Sequence, residues 1–320
     1  MLRLIRTGVL VLAVVAAPLA VQAQGRPLPS DASQPLKQAG LLLEQIRQSN
    51  IDRSWRANAL ARMARSQARA GDENASRILG RDLVGVLYNE TATSGPTSIP
   101  DAVNFAIMSQ AYADLRDPVT TTEAANAALK VIGTDPGVRA ATLPLVAMSM
   151  VDIGNKAAAG DLALEGLRSA ASLPSGRDQL AALAAIAQVQ AKLGDREAAL
   201  GTAQAAKASL PANVSAGDRA IGQAQIARAF AAAGDTATAR TTAREAIRTY
   251  DQSVNDQTVS MGQRVTALAL IAIAQAEAGD KSTARQIMGV ARQTMSGVTG
   301  QYEQMIALLT LADASLIVER

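Results

Sequence analysis

Apolar and small residues recur at helical spacing along most of the chain, and residues 179–211 show the pattern most clearly. There, the apolar or small positions are Leu183, Ile186, Ala187 and Val189. This spacing predicts an α-helix with one buried face. Gly194 ends that helix, because glycine enters the left-handed cap without a penalty for a Cβ atom, and Asp195 is a typical N-cap for the next helix. A stop signal joined directly to a start signal predicts a tight αα-hairpin.

The same signals return at intervals of about 40 residues. The turn pairs are Gly71-Asp72, Gly154-Asn155, Gly194-Asp195, Gly234-Asp235 and Gly279-Asp280. Seven residues before each glycine stands an alanine, namely Ala64, Ala147, Ala187, Ala227 and Ala272. Five residues after it stands a small residue, namely Ser76, Ala159, Ala199, Ala239 and Ala284. Repetition at a steady period is the signature of a helical solenoid.

The upstream units follow this pattern less closely. In the first unit, Gly80 stands where later copies have alanine. In the second, helices predicted at 101–115 and 121–132 are joined by Leu115-Arg116-Asp117-Pro118 instead of a glycine turn. Residues 91–100 are predicted to form a loop between these units, because they contain one glycine and two prolines.

A first helix is predicted at about 34–48, before the first unit. The second of the two terminal helices, at 301–320, has no Gly-Asp turn after it. We interpret the second as the terminal cap that a solenoid needs. The chain is therefore predicted to be all-α, a single elongated solenoid over residues 36–320 with about six helical hairpins and a capping helix.

The beginning of the chain resembles a secretory signal peptide, predicted for residues 1–23. Its features are the basic residues Arg3 and Arg6, an apolar stretch at 9–17, Pro18, and a small-residue cleavage site between Ala23 and Gln24. The apolar run is shorter than the roughly 20 residues that span a bilayer, which favours cleavage over an uncleaved membrane anchor. Residues 24–35 are predicted to be a flexible leader. We therefore expect a periplasmic or secreted protein that is not stably inserted in the membrane after cleavage.

Charge and aromatic content argue against nucleic-acid binding. The full chain has 31 basic and 28 acidic residues, and loss of Arg3 and Arg6 leaves 29 minus 28, or +1. Aromatic residues make up 2% of the chain. Because nucleic-acid binding needs a basic stripe or stacking platforms, we expect no such partner.

The chain contains no cysteine and no histidine, so thiol nucleophiles and imidazole bases are excluded. No motif for a catalytic residue, a cofactor or a metal ion stands out, and we expect a protein that is not an enzyme. Carboxylate pairs or a Ser-Lys dyad that assemble only in space leave no spacing signature, so they stay open as an alternative.

The repeats resemble the tetratricopeptide repeat family. The residues that carry the resemblance are Leu183, Ile186, Ala187, Gly194, Asp195, Ala199, Ala206 and Pro211. Units of about 40 residues are longer than the family's 34. The family's aromatic positions hold Gln190, Gln275 and Ala203, with Phe230 as the one aromatic. The resemblance implies a right-handed αα superhelix, and a related class of longer αα-repeat stays open.

Membership in that family would imply a concave groove that binds extended peptides or partner helices. Carried over by position, the groove residues are Arg65, Arg69, Met148, Gln188, Lys192, Arg228, Ile273 and Glu277. Positions where some members clamp a peptide carboxylate hold Ala61, Pro144, Ala184, Ala224 and Ala269, so that mode is not expected. We expect a scaffold that binds a protein or peptide of the cell envelope.

Other interpretations stay open at this stage. The basic groove residues are also typical of a solvated helix face. A groove with Met148, Val151, Ile221 and Ile273 could instead carry an apolar small molecule such as a lipid, which predicts a closed apolar cavity. Trp55, the single tryptophan, either packs in the core or anchors a partner.

Overall fold

The computed structural model of the protein describes residues 30–48, 51–89, 99–254 and 259–319. Within these residues the protein is all-α, with fourteen α-helices, a short 3-10 turn at Met295–Gly297 and no strand. In chain order the helices are α1 (Ser30–Gln48), α2 (Arg53–Ala70), α3 (Glu73–Asn89), α4 (Asp101–Asp114), α5 (Pro118–Val131), α6 (Pro136–Asp152), α7 (Lys156–Ala171), α8 (Arg177–Leu193), α9 (Arg196–Ala208), α10 (Ala216–Ala232), α11 (Thr236–Ser253), α12 (Met261–Glu277), α13 (Lys281–Thr294) and α14 (Gln301–Val318).

Several sequence-based predictions concern residues at the edges of these ranges or outside them. The signal peptide, with its cleavage site at Ala23 and Gln24, lies outside the described residues, as does most of the loop predicted at 91–100. Helix α1 begins at Ser30, so residues 30–35, which were predicted to belong to the flexible leader, are helical. No helix in the described ranges is long and apolar enough to cross a bilayer.

Each glycine turn has the geometry that its sequence predicts. Gly194 ends α8 with a φ of 95°, and its N–H donates to the carbonyl of Ala191. The carboxylate of Asp195 then accepts from the N–H of Ala198 at 3.0 Å, which caps the first turn of α9. The residue that ends α8 and the residue that caps α9 are therefore adjacent, and the two helices pack as an αα-hairpin.

The second unit achieves the same turn without glycine. Arg116 has a φ of 57° and is the only non-glycine residue with a positive φ in the described part of the chain. Asp117 still caps the next helix, since its carboxylate accepts from the N–H of Thr120. This unit also explains Gly80, because a Cβ atom there would overlap the hydroxyl of Tyr112.

Helices that follow one another across these turns pack as pairs. The pairs are α2 with α3, α4 with α5, α6 with α7, α8 with α9, α10 with α11, and α12 with α13. Alanine makes the close approach possible: Ala187 and Ala199, which carry the repeat pattern, are both fully buried. The first helix of each pair also packs against the first helix of the next pair.

The array closes into a ring. Helix α14 packs against α12 on one side and against α2, near the beginning of the chain, on the other. Seven helices therefore form a cycle, which we call the inner helices: α2, α4, α6, α8, α10, α12 and α14. Helix α1 packs against α14 as the outer helix of a seventh pair, whose two members come from opposite ends of the chain. Helix α14 is thus enclosed on both sides and does not end an open array as a terminal cap.

The contact between α14 and α2, which we call the seam, combines aromatic and polar groups. Trp55 and Tyr302 meet edge to face with their ring centroids 4.2 Å apart. The hydroxyl of Tyr302 donates to the Oδ1 atom of Asn58, and burial raises the pKa of this tyrosine to about 12. Asp313 accepts from the hydroxyl of Ser66 at 3.1 Å. Trp55 is therefore half-buried at the ring closure and packs against a residue from the far end of the chain.

Arginines of the outer helices fix one hairpin to the next. Arg196 donates from Nε to the carbonyl of Ala233, and Arg240 donates to the carbonyl of Ala278 at 2.7 Å. Both carbonyls lie at the C-terminal end of an inner helix, where a cation is stabilised by the helix dipole. The guanidinium of Arg196 lies where a Cβ atom would stand at Gly234, but the far end of this flexible side chain can move, so the glycine is required for its left-handed backbone.

Candidate functional site

The inner helices present one face to the inside of the ring, which we call the lumen. With 3.6 residues per turn, positions two and six before each turn glycine point away from the position-seven alanine. That alanine is buried, as Ala187 and Ala227 show. Side chains on the other face stay partly exposed and reach those of the neighbouring inner helices. The candidate site is therefore built on rigid helices rather than on loops.

All eight groove residues predicted from the sequence lie on inner helices. They are Arg65 and Arg69 on α2, Met148 on α6, Gln188 and Lys192 on α8, Arg228 on α10, and Ile273 and Glu277 on α12. Ile273 is buried, and the amide of Gln188 donates back to the carbonyl of Ala184 in its own helix. The remaining six are partly or largely exposed.

The charged members form ion pairs between adjacent inner helices. The pairs are Arg65 with Asp114 at 3.5 Å, Arg69 with Asp114 at 3.2 Å, Arg69 with Asp313 at 3.1 Å, Lys192 with Asp152 at 2.6 Å, and Arg228 with Glu277 at 2.9 Å. We call the eight residues that form these ion pairs the charge belt. Four basic and four acidic side chains give it no net charge. The belt lies near the C-terminal ends of the inner helices and links α14 to α2, α2 to α4, α6 to α8 and α10 to α12.

Three acidic members of the belt were missed by sequence reasoning. Asp152 stands two residues before Gly154, and Asp114 stands two residues before Arg116, which takes the place of the turn glycine. Arg69 and Lys192 were predicted because they stand two residues before a turn glycine. The same rule, applied to these two turns, would also have predicted Asp152 and Asp114. Asp313 stands before no such turn, and only the closure of the ring brings it close to Arg69.

The two neighbouring arginines of α2 differ in their electrostatic surroundings. The pKa of Arg65 is lowered to about 10, because burial and the neighbouring charge of Arg69 together outweigh the opposing effect of Asp114. Burial acts in the same direction on Arg69, but the carboxylates of Asp313 and Asp114 outweigh it and raise its pKa. Both side chains are cations at neutral pH, and Arg65 is the less well compensated of the two.

Deeper in the lumen, partly exposed apolar side chains lie beside polar ones, since the same level holds Arg62 on α2 and Gln225 on α10. Leu145, Leu270 and Ile306 stand seven residues before the belt acids of their helices and are partly exposed. Seven residues are about two helical turns, so these side chains form a second level roughly 10 Å from the belt. One end of the lumen is therefore charged and its interior offers apolar contacts.

The ring geometry limits what can enter. Seven helices packed 8–10 Å apart lie on a circle of about 10 Å radius, and a helix with its side chains fills roughly 5 Å of that radius. The free lumen is thus on the order of 10 Å across before long side chains are counted. An extended chain fits such a width, whereas a helix with its side chains, at about 10–12 Å, fills it completely.

The described part of the chain contains no group of three or more acidic side chains placed to hold a metal ion. The pocket beside Ile221, one of the residues expected in a lipid-binding groove, has a volume of about 10 Å³ and is also lined by Leu180 and Leu210, whereas Met148, Val151 and Ile273 do not line it. That space accommodates one water molecule at most.

Comparison with known proteins identifies no family for this chain. No protein-family model matches it, and no curated protein matches it. The resemblance to tetratricopeptide repeats rests on the repeat pattern and on helices packed in neighbouring pairs.

Proposed function

We propose that this protein is an exported scaffold that binds a segment of another cell-envelope protein or peptide in its lumen. One observation carries the proposal: a belt of paired charges adjoins a level of partly exposed apolar side chains on the same rigid surface. Apolar burial supplies affinity in such an arrangement, and exchange of ion-pair partners supplies specificity. Binding, rather than catalysis, also accords with a chain that lacks cysteine and histidine.

We further propose that the hairpins are tetratricopeptide-like and stack with a right-handed twist, six as contiguous hairpins and the seventh split between α14 and α1. The Gly-Asp turns, the phased alanines and the proline at 211 support this assignment. The signal-peptide pattern of residues 1–23 supports a periplasmic or secreted location.

The lumen favours an extended segment as its occupant. An incoming carboxylate can replace Asp114 on Arg65, the longest ion pair of the belt at 3.5 Å. An apolar side chain two or three residues further along then reaches Leu145 or Leu270, because an extended chain advances about 3.3 Å per residue. Recognition therefore needs an acidic residue followed closely by apolar ones.

Site-specific photo-crosslinking in the cells that make the protein tests this proposal. A photoreactive phenylalanine analogue replaces Met148, which lies in the lumen, or Leu164, which is half-exposed on the outer helix α7. We expect a defined protein adduct from position 148 and none from 164. Adducts at 164 alone, or equal adducts at both positions, would contradict binding in the lumen.

A charge exchange provides the matched control for the belt. The double variant Asp152→Lys with Lys192→Asp keeps the ion pair but reverses its direction. We expect its thermal midpoint to stay near that of the unmodified protein, while the adduct at position 148 becomes weaker. An unchanged adduct yield would mean that the belt only ties α6 to α8.

A second candidate function is transport of an apolar ligand such as a lipid. The observation that favours it is the apolar level of the lumen formed by Leu145, Leu270 and Ile306. The same experiment separates the two functions, because mass spectrometry of the adduct at position 148 distinguishes a lipid from a peptide.

A further inference from the structure

The path of the chain around the ring has a single break. Consecutive helices from α1 to α14 are joined by the chain itself, whereas α1 and α14, the members of the seventh pair, are held together without a chain connection. Every other place in the ring wall is crossed by a segment that connects two helices. A polypeptide segment whose two ends are held by folded domains can therefore enter the lumen sideways only where α14 separates from α1 and α2.

This break is sealed by an apolar core. Leu43 and Ile46 of α1 are buried in the same cluster as Met305 and Leu308 of α14. Separation of the two helices would expose these side chains to water, which the hydrophobic effect opposes. Openings that lose many buried apolar contacts are the rarest in a native protein. The folded ring is therefore closed to sideways entry.

The other ways into the lumen are its two mouths, where the inner helices begin and end. Trp55, Arg62 and Arg69 follow one another at intervals of seven residues on α2, which places them on one face of the helix. Residues 55 and 69 are fourteen apart, so the lumen is about 20 Å long. About six residues of an extended chain span this length. A width on the order of 10 Å admits one such chain and excludes a folded domain.

We propose that the lumen is loaded by threading, and that its occupant is a free end of the partner chain with at least about six unfolded residues. This inference rests on the proposed function, which places an extended segment in the lumen. It adds which part of the partner binds: a terminal tail enters through a mouth, whereas a linker between two folded domains is excluded because α14 would have to leave the ring.

Fusion proteins that carry one and the same segment test the proposal. The segment has an aspartate followed two and three residues later by leucine, within a glycine- and serine-rich stretch of about twenty residues. In the tail probes it is a free tail at either end of a small folded domain, and in the two-domain probe it joins two copies of that domain. The readout is the adduct with a photoreactive residue at position 148 of the purified protein. We expect at least one tail probe to form the adduct, and the two-domain probe to give on the order of tenfold less.

A staple across the break separates threading from sideways entry. Gln45 of α1 and Gln301 of α14 are exposed and joined by a hydrogen bond of 3.3 Å. A short bis-maleimide between cysteines at these positions completes the covalent path around the ring. We expect the stapled and unstapled rings to give the same adduct yield with the tail probe. The matched control is the single variant Gln45→Cys, blocked with N-ethylmaleimide, which alters α1 without joining it to α14.

The outcomes distinguish this inference from the proposed function. Loss of the tail-probe adduct on stapling, or equal yields from the tail and two-domain probes with the unstapled ring, would overturn threading and leave binding in the lumen intact. Absence of an adduct from every probe, with and without the staple, would contradict the proposed function itself, and the threading that rests on it would fall with it.

Discussion

Long donor side chains near the start of several inner helices hold the segment that precedes each helix. Arg139 donates to the carbonyl of Gly133 at 2.9 Å, and Gln179 donates to the carbonyls of Ala170 and Leu173, each at 3.1 Å. Arg219 bonds in the same way to the carbonyl of Ala212. For Arg139 and Arg219, a cation in the first turn of a helix opposes the helix dipole, and these local bonds offset that effect. Each residue stands fifteen before its turn glycine, a part of the repeat that sequence reasoning missed.

Gln275 is a buried polar side chain whose removal should stabilise the protein. It is 1% exposed, and neither its amide nitrogen nor its amide oxygen has a hydrogen-bond partner among the described residues. The equivalent position, four before the turn glycine, holds glutamine in two other units, at Gln67 and Gln190, and an apolar residue in two more, at Met150 and Phe230. We expect Gln275→Met to raise the free energy of unfolding by about 1–2 kcal/mol, because an unsatisfied buried group is removed. Urea denaturation followed by circular dichroism measures this change.

The matched control is Gln179→Met. Its amide donates to two carbonyls, so the same substitution should lower the free energy of unfolding by about 1 kcal/mol. If both variants were destabilised to the same extent, the amide of Gln275 would be satisfied in solution and its interpretation as an unpaired group would be wrong.

At the scale of the helix, aspartate N-caps make the outer helices sensitive to acid. Hydrogen bonds from the side chain and N–H of Thr238 lower the pKa of Asp235 below its usual value of 3.8. Hydrogen bonds from the N–H and side chain of Thr283 lower the pKa of Asp280 in the same way. Because the folded-state pKa is depressed, the stabilisation is present above the unfolded-state pKa and is lost as pH falls through the folded-state value.

The double variant Asp235→Asn with Asp280→Asn should lose this part of the acid sensitivity. Asparagine still caps a helix, as Asn155 does at the start of α7, but it does not titrate. We expect the unmodified protein to have the higher thermal midpoint from pH 7 to about pH 4, and the difference to narrow below that. A difference that stays constant down to pH 2 would show that these carboxylates contribute nothing by their charge.

Local signals were sufficient to predict most of the elements. The helices expected at 101–115 and 121–132 are found as Asp101–Asp114 and Pro118–Val131, because stop and start residues act within one turn. The start of α1 was missed, since Pro35 was interpreted as part of a leader although it lies within the helix. The basic half of the charge belt was predicted by position, but its ion-pair partners come from other helices and left no local signal apart from the offset to the turn.

For the molecule as a whole, closure of the ring could not be predicted from the repeat. Every Gly-Asp turn makes the same hairpin in an open or a closed array, and closure depends on small rotations between units that add up to a full circle. The sequence contained one indication of ring closure: a first helix and a last helix that lie outside the six hairpins. These two helices are α1 and α14, and each provides the partner that the other lacks.

Closure of the ring can be tested by cross-linking, because the chain contains no cysteine that would react instead. The side chains of Gln45 on α1 and Gln301 on α14 are exposed and joined by a hydrogen bond of 3.3 Å, although they are 256 residues apart. We expect the variant Gln45→Cys with Gln301→Cys to form an intramolecular link with a short bis-maleimide at low protein concentration, seen as faster migration in denaturing electrophoresis. The variant Gln45→Cys with Arg168→Cys, whose second cysteine lies on α7, should not form this link. In an open solenoid the two ends of the chain would lie apart and neither variant would react in this way, so an unlinked first variant would contradict the ring. In the chain-entropy account of cross-links, closing a loop of this length should also raise the free energy of unfolding by about 5 kcal/mol, which urea denaturation of the linked protein measures.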